Sequence, residues 1–236
     1  MTAKALELSR VNSGYGEAMV VHDLDLDLAS GEILAVLGKN GVGKSTLLKT
    51  VMGFLPTRGG GSIRLHGEEV TGQAPHRIAR RGVAYAPQER ALFTDISVVD
   101  NLRLGLRDER GFEEKLERAC RHFPFLLERR GQPAGTLSGG EQKMLLMARA
   151  LLPRPRLMLI DEISEGLQPS VIQRLADVLR GERDGSGTTI LLVEQNVRFA
   201  LSVADRYAVL KRGEIVDRGA VGSPEAERSI HEHLSV

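Results

Sequence analysis

Tryptophan is absent from this chain of 236 residues, and aromatic residues make up only 4% of it. So few rings leave little for stacking bases, which argues against a reader of single-stranded nucleic acid. A surplus of either charge is also missing: 32 Lys and Arg stand against 31 Asp and Glu, for a net charge of +1. With no long basic run, the balance argues against a dedicated nucleic-acid surface. The one cysteine, Cys120, has no internal disulfide partner, which suits a reducing cytosol and reads as a small apolar residue packed in a helix. No apolar run approaches the ~20 residues of a membrane helix, since Leu157 to Ile160 and Ile190 to Val193 are among the longest. No signal-peptide core follows Met1-Thr2-Ala3-Lys4. Six histidines lack ligand-type spacing: His22, His66, His76 and His122 are scattered, and His231 and His233 read as solvated in a polar tail.

The length suffices for one large α/β domain with its own core. Residues 4 to 28 alternate apolar and polar positions (Leu6, Leu8, Val11, then Leu24, Leu26, Leu28), which predicts antiparallel strands with one wet face. Glu32 to Leu37 reads as a buried strand, Lys44 to Met52 as a helix stopped by Gly53, and Ser62 to Leu65 and Val83 to Ala86 as further strands. Residues 89 to 136 are charge-rich with helical spacing at Phe112, Leu116, Cys120 and Phe123. With the following helix, ended by Pro153 and Pro155, they predict a helical subdomain over about 89–153. Strands at Leu157 to Ile160, Thr188 to Val193 and Tyr207 to Leu210 alternate with helices from Pro169 and near Phe199, so a parallel sheet is expected. The last stretch reads as a weakly patterned tail. The chain is expected to form a single domain over 1–236.

Gly38-Lys39-Asn40-Gly41-Val42-Gly43-Lys44-Ser45 fits the phosphate-loop pattern G-x-x-x-x-G-K-[ST]. Glycines at 38, 41 and 43 let the backbone turn its N–H groups toward phosphate oxygens, and the following helix adds its positive end. Lys44 is placed to reach the β- and γ-phosphates of a nucleoside triphosphate, and Ser45 to hold Mg²⁺ through its hydroxyl. Asn40 and Thr46 complete the nucleotide-binding stretch. Leu157 to Ile160 ends in Asp161-Glu162, so a buried strand delivers two carboxylates to the sheet edge where ligands of parallel sheets collect. Asp161 suits the Mg²⁺ shell and Glu162 the base that polarises water. Ser138-Gly139-Gly140 opens a helix, with Ser138 near its N-cap, and suits an anion.

Leu137-Ser138-Gly139-Gly140-Glu141-Gln142 upstream of Leu157 to Glu162 resembles, with the phosphate loop, the ATPases of ABC transporters over nearly the whole chain. The resemblance implies a P-loop NTPase core with a mostly parallel sheet, an N-terminal antiparallel β part and a helical subdomain. It identifies Tyr15 with the aromatic residue that stacks on adenine, and Gln88, in Tyr85-Ala86-Pro87-Gln88, with the glutamine that touches Mg²⁺ and the attacking water. It implies ATP clamped between two ATPases, between the phosphate loop of one and Ser138, Gly139 and Gly140 of the other. The pair is either a homodimer or a heterodimer with a related chain. It further implies transmembrane permease subunits, whose short helix enters a groove near Gln88 to Asp100, an indirect link to a periplasmic or extracellular binding protein, and a place on the inner face of the cell membrane.

Three departures stand out: Gln195 where many members have a histidine on the γ-phosphate, Gln168 where many have an aspartate before Pro169, and Ile163 where a proline commonly follows the acid pair. Ser164-Glu165-Gly166-Leu167-Gln168-Pro169 and Val193-Glu194-Gln195-Asn196 resemble the second ATPase of branched-chain amino-acid, urea or amide importers. Glutamine can donate to phosphate but cannot become a cation, so Gln195 is expected to take over the γ-phosphate contact. The alternatives are the ATPase of a lipid or lipopolysaccharide exporter, a soluble ATPase of a cytosolic assembly complex, and an ATP-binding module without useful turnover.

Overall fold

Strict alternation along the buried strands divides the interior into two layers. In β3 (Ile33–Leu37), Ile33, Ala35 and Leu37 face one apolar cluster, and Leu34 and Val36 face another. The strands β7 (Leu157–Asp161), β8 (Thr189–Glu194) and β9 (Arg206–Lys211) divide in the same way. A sheet covered on both faces needs such continuous apolar strands. The computed structural model describes residues 3–88, 91–223 and 225–234. Glu89, where the helical insert is predicted to begin, and both ends of the predicted 1–236 domain lie outside them.

The main sheet has β6 (Val83–Ala86) at one edge and β10 (Glu214–Ala220) at the other, in the order β10-β9-β3-β8-β7-β6. β9, β3, β8, β7 and β6 run parallel, and β10 returns antiparallel to β9. β1 (Lys4–Tyr15) and β2 (Ala18–Ala29) pair antiparallel, and β4 (Ser62–Leu65) and β5 (Glu68–Glu69) extend them into a four-stranded sheet. This is the α/β architecture expected, with its antiparallel part at the N-terminus.

Helix α1 (Lys44–Val51) fills the layer between the two sheets with Leu47, Leu48 and Val51. α2 (Pro75–Arg80), a short helix not foreseen, places Ile78 in the same layer. Between β6 and β7 come α3 (Val98–Arg103), α4 (Phe112–His122), α5 (Phe125–Glu128) and α6 (Gly139–Leu151). Their apolar faces, Cys120 included, share one cluster with the opposite face of the sheet. α7 (Pro169–Ser186) and α8 (Val197–Val203) cover that face further along.

The turn between β9 and β10 stitches the two sheets together. His22 N donates to Gly213 O at 2.9 Å, and Gly213 N donates to Val42 O at 3.0 Å. Gly213 has φ 83°, and a Cβ there would lie 2.1 Å from Val20 O, so only glycine fits.

The expected polar tail is instead a strand and a helix, β10 followed by α9 (Ala226–Leu234). Ala226, Ile230 and Leu234 recur four residues apart and dock on the helical-face cluster, Ile230 being fully buried. The short apolar stripe is hidden among charged residues, which is why the segment reads as unpatterned. His231 and His233 sit on this helix. Ile230→Ala is expected to destabilise the protein by about 2–5 kcal/mol, the range for emptying a buried aliphatic site. Urea unfolding measures it, and a loss below about 0.5 kcal/mol, typical of an exposed position, would show that α9 is not docked.

Candidate nucleotide site

The loop after β3 is shaped by three glycines. A Cβ on Gly38 would lie 2.7 Å from Leu210 O and from Val42 Cγ2. Gly41 and Gly43 hold φ 79° and 111°, in the left-handed range that favours glycine. Gly43 is the N-cap of α1 and offers no side-chain cap, so the first-turn N–H groups remain available to an anion. Asn40 is exposed on the loop and Thr46 is buried in the first turn.

Lys44 uses all three ammonium hydrogens inside the protein. Nζ donates to Gly38 O and Lys39 O at 2.7 Å each and pairs with Glu162 Oε1 at 2.8 Å. Both charges are nearly sealed from water, at 3% and 7% side-chain exposure. Next to them Ser45 Oγ donates to Asp161 Oδ1 at 3.0 Å, and Tyr85 OH donates to Asp161 Oδ2 at 3.2 Å. Burial pushes the Asp161 carboxyl above its usual range, against the opposing hydrogen bonds from Ser45 and Tyr85. Burial likewise raises the Tyr85 phenol, reinforced by the Asp161 charge. The oxygens of Ser45 and Asp161 are the hard donors a Mg²⁺ ion takes when phosphates and waters supply the rest of its shell. Among the described residues no cluster of three or more His, Cys, Asp or Glu forms a self-contained metal cage.

Glu162 has φ 46°, unusual for a residue with a side chain. Its N–H is held by Val193 O at 3.0 Å. Its Oε2 accepts from Gln88 Nε2 at 2.8 Å, and the same amide donates to Glu165 Oε2 at 2.8 Å. The structure thus brings Gln88, Glu162, Asp161, Lys44 and Ser45 into one constellation.

Sequence reasoning passed over Glu194, the acid that ends the otherwise apolar strand β8. It is 1% exposed, and its carboxylate accepts from Ser164 N, Ser164 Oγ, Gln195 N and Asn196 N at 3.0 to 3.3 Å. Burial raises its pKa, and those hydrogen bonds oppose the shift. An acid closing a buried strand was the available signal. Beside Glu162 and this carboxylate lies a cavity of about 360 Å³ lined by Glu162, Glu165, Glu194 and Gln195 among others. A larger cavity, about 650 Å³, lies among Arg80 to Ala84, Leu106 to Asp108 and Pro153 to Arg156, and contains none of the loop residues. Chemistry, not size, locates the site.

Three predicted groups stand apart from the constellation. Ser138 caps α6 in a reciprocal box with Glu141, its hydroxyl accepting from Glu141 N at 3.3 Å and Glu141 accepting from Ser138 N at 2.9 Å. Among the described residues no hydrogen bond joins Ser138, Gly139 or Gly140 to residues 38–46. Gln195 is exposed, lines the 360 Å³ cavity with Glu162, and donates its backbone N–H to Glu194 at 3.2 Å. Tyr15 is exposed at the end of β1, where its hydroxyl accepts from Lys49 Nζ on α1 at 3.3 Å.

The profile of the family described as "ABC transporter" matches residues 21–165. The chain belongs to the ABC transporter family. It is 42% identical over 219 residues to the high-affinity branched-chain amino acid transport ATP-binding protein BraG of Pseudomonas aeruginosa, covering 91% of this chain and 93% of that one. It is 38% identical to the probable branched-chain amino acid transport ATP-binding protein LivF of Archaeoglobus fulgidus, covering 91% of each. The lipopolysaccharide export system ATP-binding protein LptB of Escherichia coli is 35% identical, covering 93% of this chain and 90% of that one. Among solved structures, an ATP-binding subunit of an ABC transporter superposes with TM-score 0.83 at 27% identity, over 96% of this chain and 94% of that one. The fold is that of the ABC ATPases.

Within that family two of the three departures have local explanations. Ile163 is fully buried in the helical-face cluster, so an apolar side chain fills space where a proline is common. Gln168 occupies the N-cap of α7 without a side-chain cap bond, and Pro169 at the first helical position needs no N–H partner. Glu194→Gln is expected to cost about 1–3 kcal/mol of stability, because an amide NH₂ must then face N–H and O–H donors. Denaturant unfolding measures it; an unchanged midpoint would show that the four hydrogen bonds do not hold the two loops.

Proposed function

We propose that this chain is the ATP-hydrolysing subunit of an ABC importer that powers uptake of small polar nutrients, branched-chain amino acids first, through partner permeases. The observation that carries the reading is the placement of Glu162 against Lys44, in a chain 42% identical to BraG. The loop N–H groups take the phosphates, and Lys44 leaves Glu162 for phosphate oxygens. Glu162, released from its cation but still beside the Gln88 amide, accepts the proton of the attacking water. Ser45, Asp161 and Gln88 would hold Mg²⁺, which neutralises charge on the phosphates when bound. Tyr15 stacks on the base.

Ser138, Gly139 and Gly140 serve the nucleotide of a second ATPase, a copy of this chain or a related one. The exposure of Ser138 and Gly139 supports this. Phe54, Phe93 and Leu104 are 55%, 60% and 56% exposed, which supports a permease helix docking near the Gln88 to Asp100 stretch. Part of that stretch, Glu89 and Arg90, lies outside the described residues. No helix among the described residues is long and apolar enough to cross a membrane; in this reading the permeases hold the chain at the bilayer's inner face. We read the chain as one domain, with the helices between β6 and β7 as its subdomain. The LptB similarity supports a second reading, an exporter ATPase.

Tagging the chain in its native cell and solubilising membranes gently tests the assignment. Two integral membrane subunits and a second ATPase are expected. Lipopolysaccharide-export permeases would select the exporter, and recovery with cytosolic partners alone would sink both transport readings. Glu162→Gln is expected to keep ATP binding and slow turnover roughly 10²–10⁴-fold, the reach of a positioned base. Equal rates would remove Glu162 from the chemistry. Gln195→Ala is expected to weaken both hydrolysis and ATP-driven pairing of the subunits; if sedimentation and phosphate release are both unchanged, Gln195 makes no γ-phosphate contact.

A further inference from the structure

Gln88 is held at both ends. Lys143, on the inner side of α6, donates from Nζ to the Gln88 carbonyl at 3.0 Å, and the same ammonium lies 3.5 Å from the Glu162 carbonyl, a long contact. At the side-chain end, the Gln88 amide nitrogen donates to Glu162 and Glu165 at 2.8 Å each. An amide nitrogen has two hydrogens, so both are committed and the orientation of the amide is fixed. Glu162 holds a left-handed backbone, which persists only where its surroundings fix it. Val193 O takes its N–H, and Lys143 is the cation beside its C=O.

Neither Lys143 nor Glu165 is a core residue: one is half-buried and the other exposed. Their hydrogen bonds go to the two residues with proposed hydrolytic roles, and charge-assisted bonds of this kind hold geometry more strongly than neutral ones. We infer that Lys143 and Glu165 are positioning residues for hydrolysis: Lys143 fixes the backbones of Gln88 and Glu162 from α6, and Glu165 turns the Gln88 amide onto the Glu162 carboxylate. The inference rests on the hydrolytic reading of Glu162. Because α6 begins at the Ser138 cap, Lys143 also ties that helix to the Gln88 and Glu162 segments.

The test compares full-length wild type with K143M, K143Q, E165A and E162Q. It reads steady-state ATP hydrolysis, the Kd for Mg·ATP, and backbone hydrogen exchange in the peptides carrying Gln88 and Glu162. K143M is expected to lower kcat roughly 10- to 100-fold, the usual effect of removing a group that orients a catalytic one, with Kd unchanged. K143Q, which keeps a donor, should recover most of that loss, and E165A should show a smaller fall in kcat. Exchange should quicken in both peptides for K143M and in the Gln88 peptide for E165A. Wild-type kcat with unchanged exchange in K143M overturns the inference, as does faster exchange spread over the whole chain, which would make Lys143 a general stabiliser. A wild type that binds ATP but hydrolyses it no faster than E162Q would sink the hydrolytic reading instead, and the exchange comparison still decides what Lys143 holds.

Discussion

An ammonium and a carboxylate 2.8 Å apart and nearly sealed from water set the terms for everything around them. Removing either partner of such a pair costs about 3–5 kcal/mol, because the other charge is stranded in a poor solvent. The pair therefore survives only if its two loops are held in register. Lys44 follows β3 and Glu162 follows β7, and these strands are not neighbours: β8 runs between them. The last two residues of β8 do the joining. Val193 O accepts from Glu162 N, Glu194 O accepts from Gly38 N at 3.2 Å, and the Glu194 side chain takes Ser164 and the turn after itself. One strand end thus splints the phosphate loop, the acid pair and the Gln195 turn.

The two apolar layers explain why that splint is rigid. Every residue of β3, β7 and β8 is buried, and alternate side chains are locked into opposite clusters. A one-residue slip of any strand would exchange its two faces, with large side chains facing gaps cut for others. The register that aligns Leu37 with Glu194 and Asp161 with Val193 is thereby fixed by packing far below the site. The geometry of the site is inherited from the core.

What could be read from the sequence divides along the same line. Strands and helices with a strong period, the phosphate loop and the acid pair were legible because each is a local pattern. Glu194 and Lys143 were not, because their roles depend on which strands and helices lie side by side. Lys143 and Gln88 are 55 residues apart, and nothing in the spacing says that an ammonium on α6 ends at that carbonyl. The α9 segment failed for another reason. Three apolar positions among charges make too weak a period to stand out, although they suffice to dock a short helix on an existing cluster. Gln168 and Ile163 stood out in the sequence only as departures from the family's pattern; in the structure one is an uncapped helix start and the other a core residue.

The functional groups also fall into a buried set and an exposed set, and the difference bears on how such a protein is switched. Lys44 and Glu162 hold one another, and Ser45 and Tyr85 hold Asp161, without help from another molecule; in the proposed function it is the first of these contacts that phosphate would open. Ser138 faces solvent, yet its hydroxyl is already engaged, donating to Glu141 Oε2 at 2.8 Å. A phosphate brought there by a second ATPase has to take that hydrogen from a carboxylate and then sit close to a negative charge. Arg129, 3.3 Å from the same carboxylate, offsets part of that charge. Both ends of the proposed sandwich therefore start occupied by internal carboxylates, Glu162 at one and Glu141 at the other. In that proposal nucleotide and partner would each displace a carboxylate contact on binding.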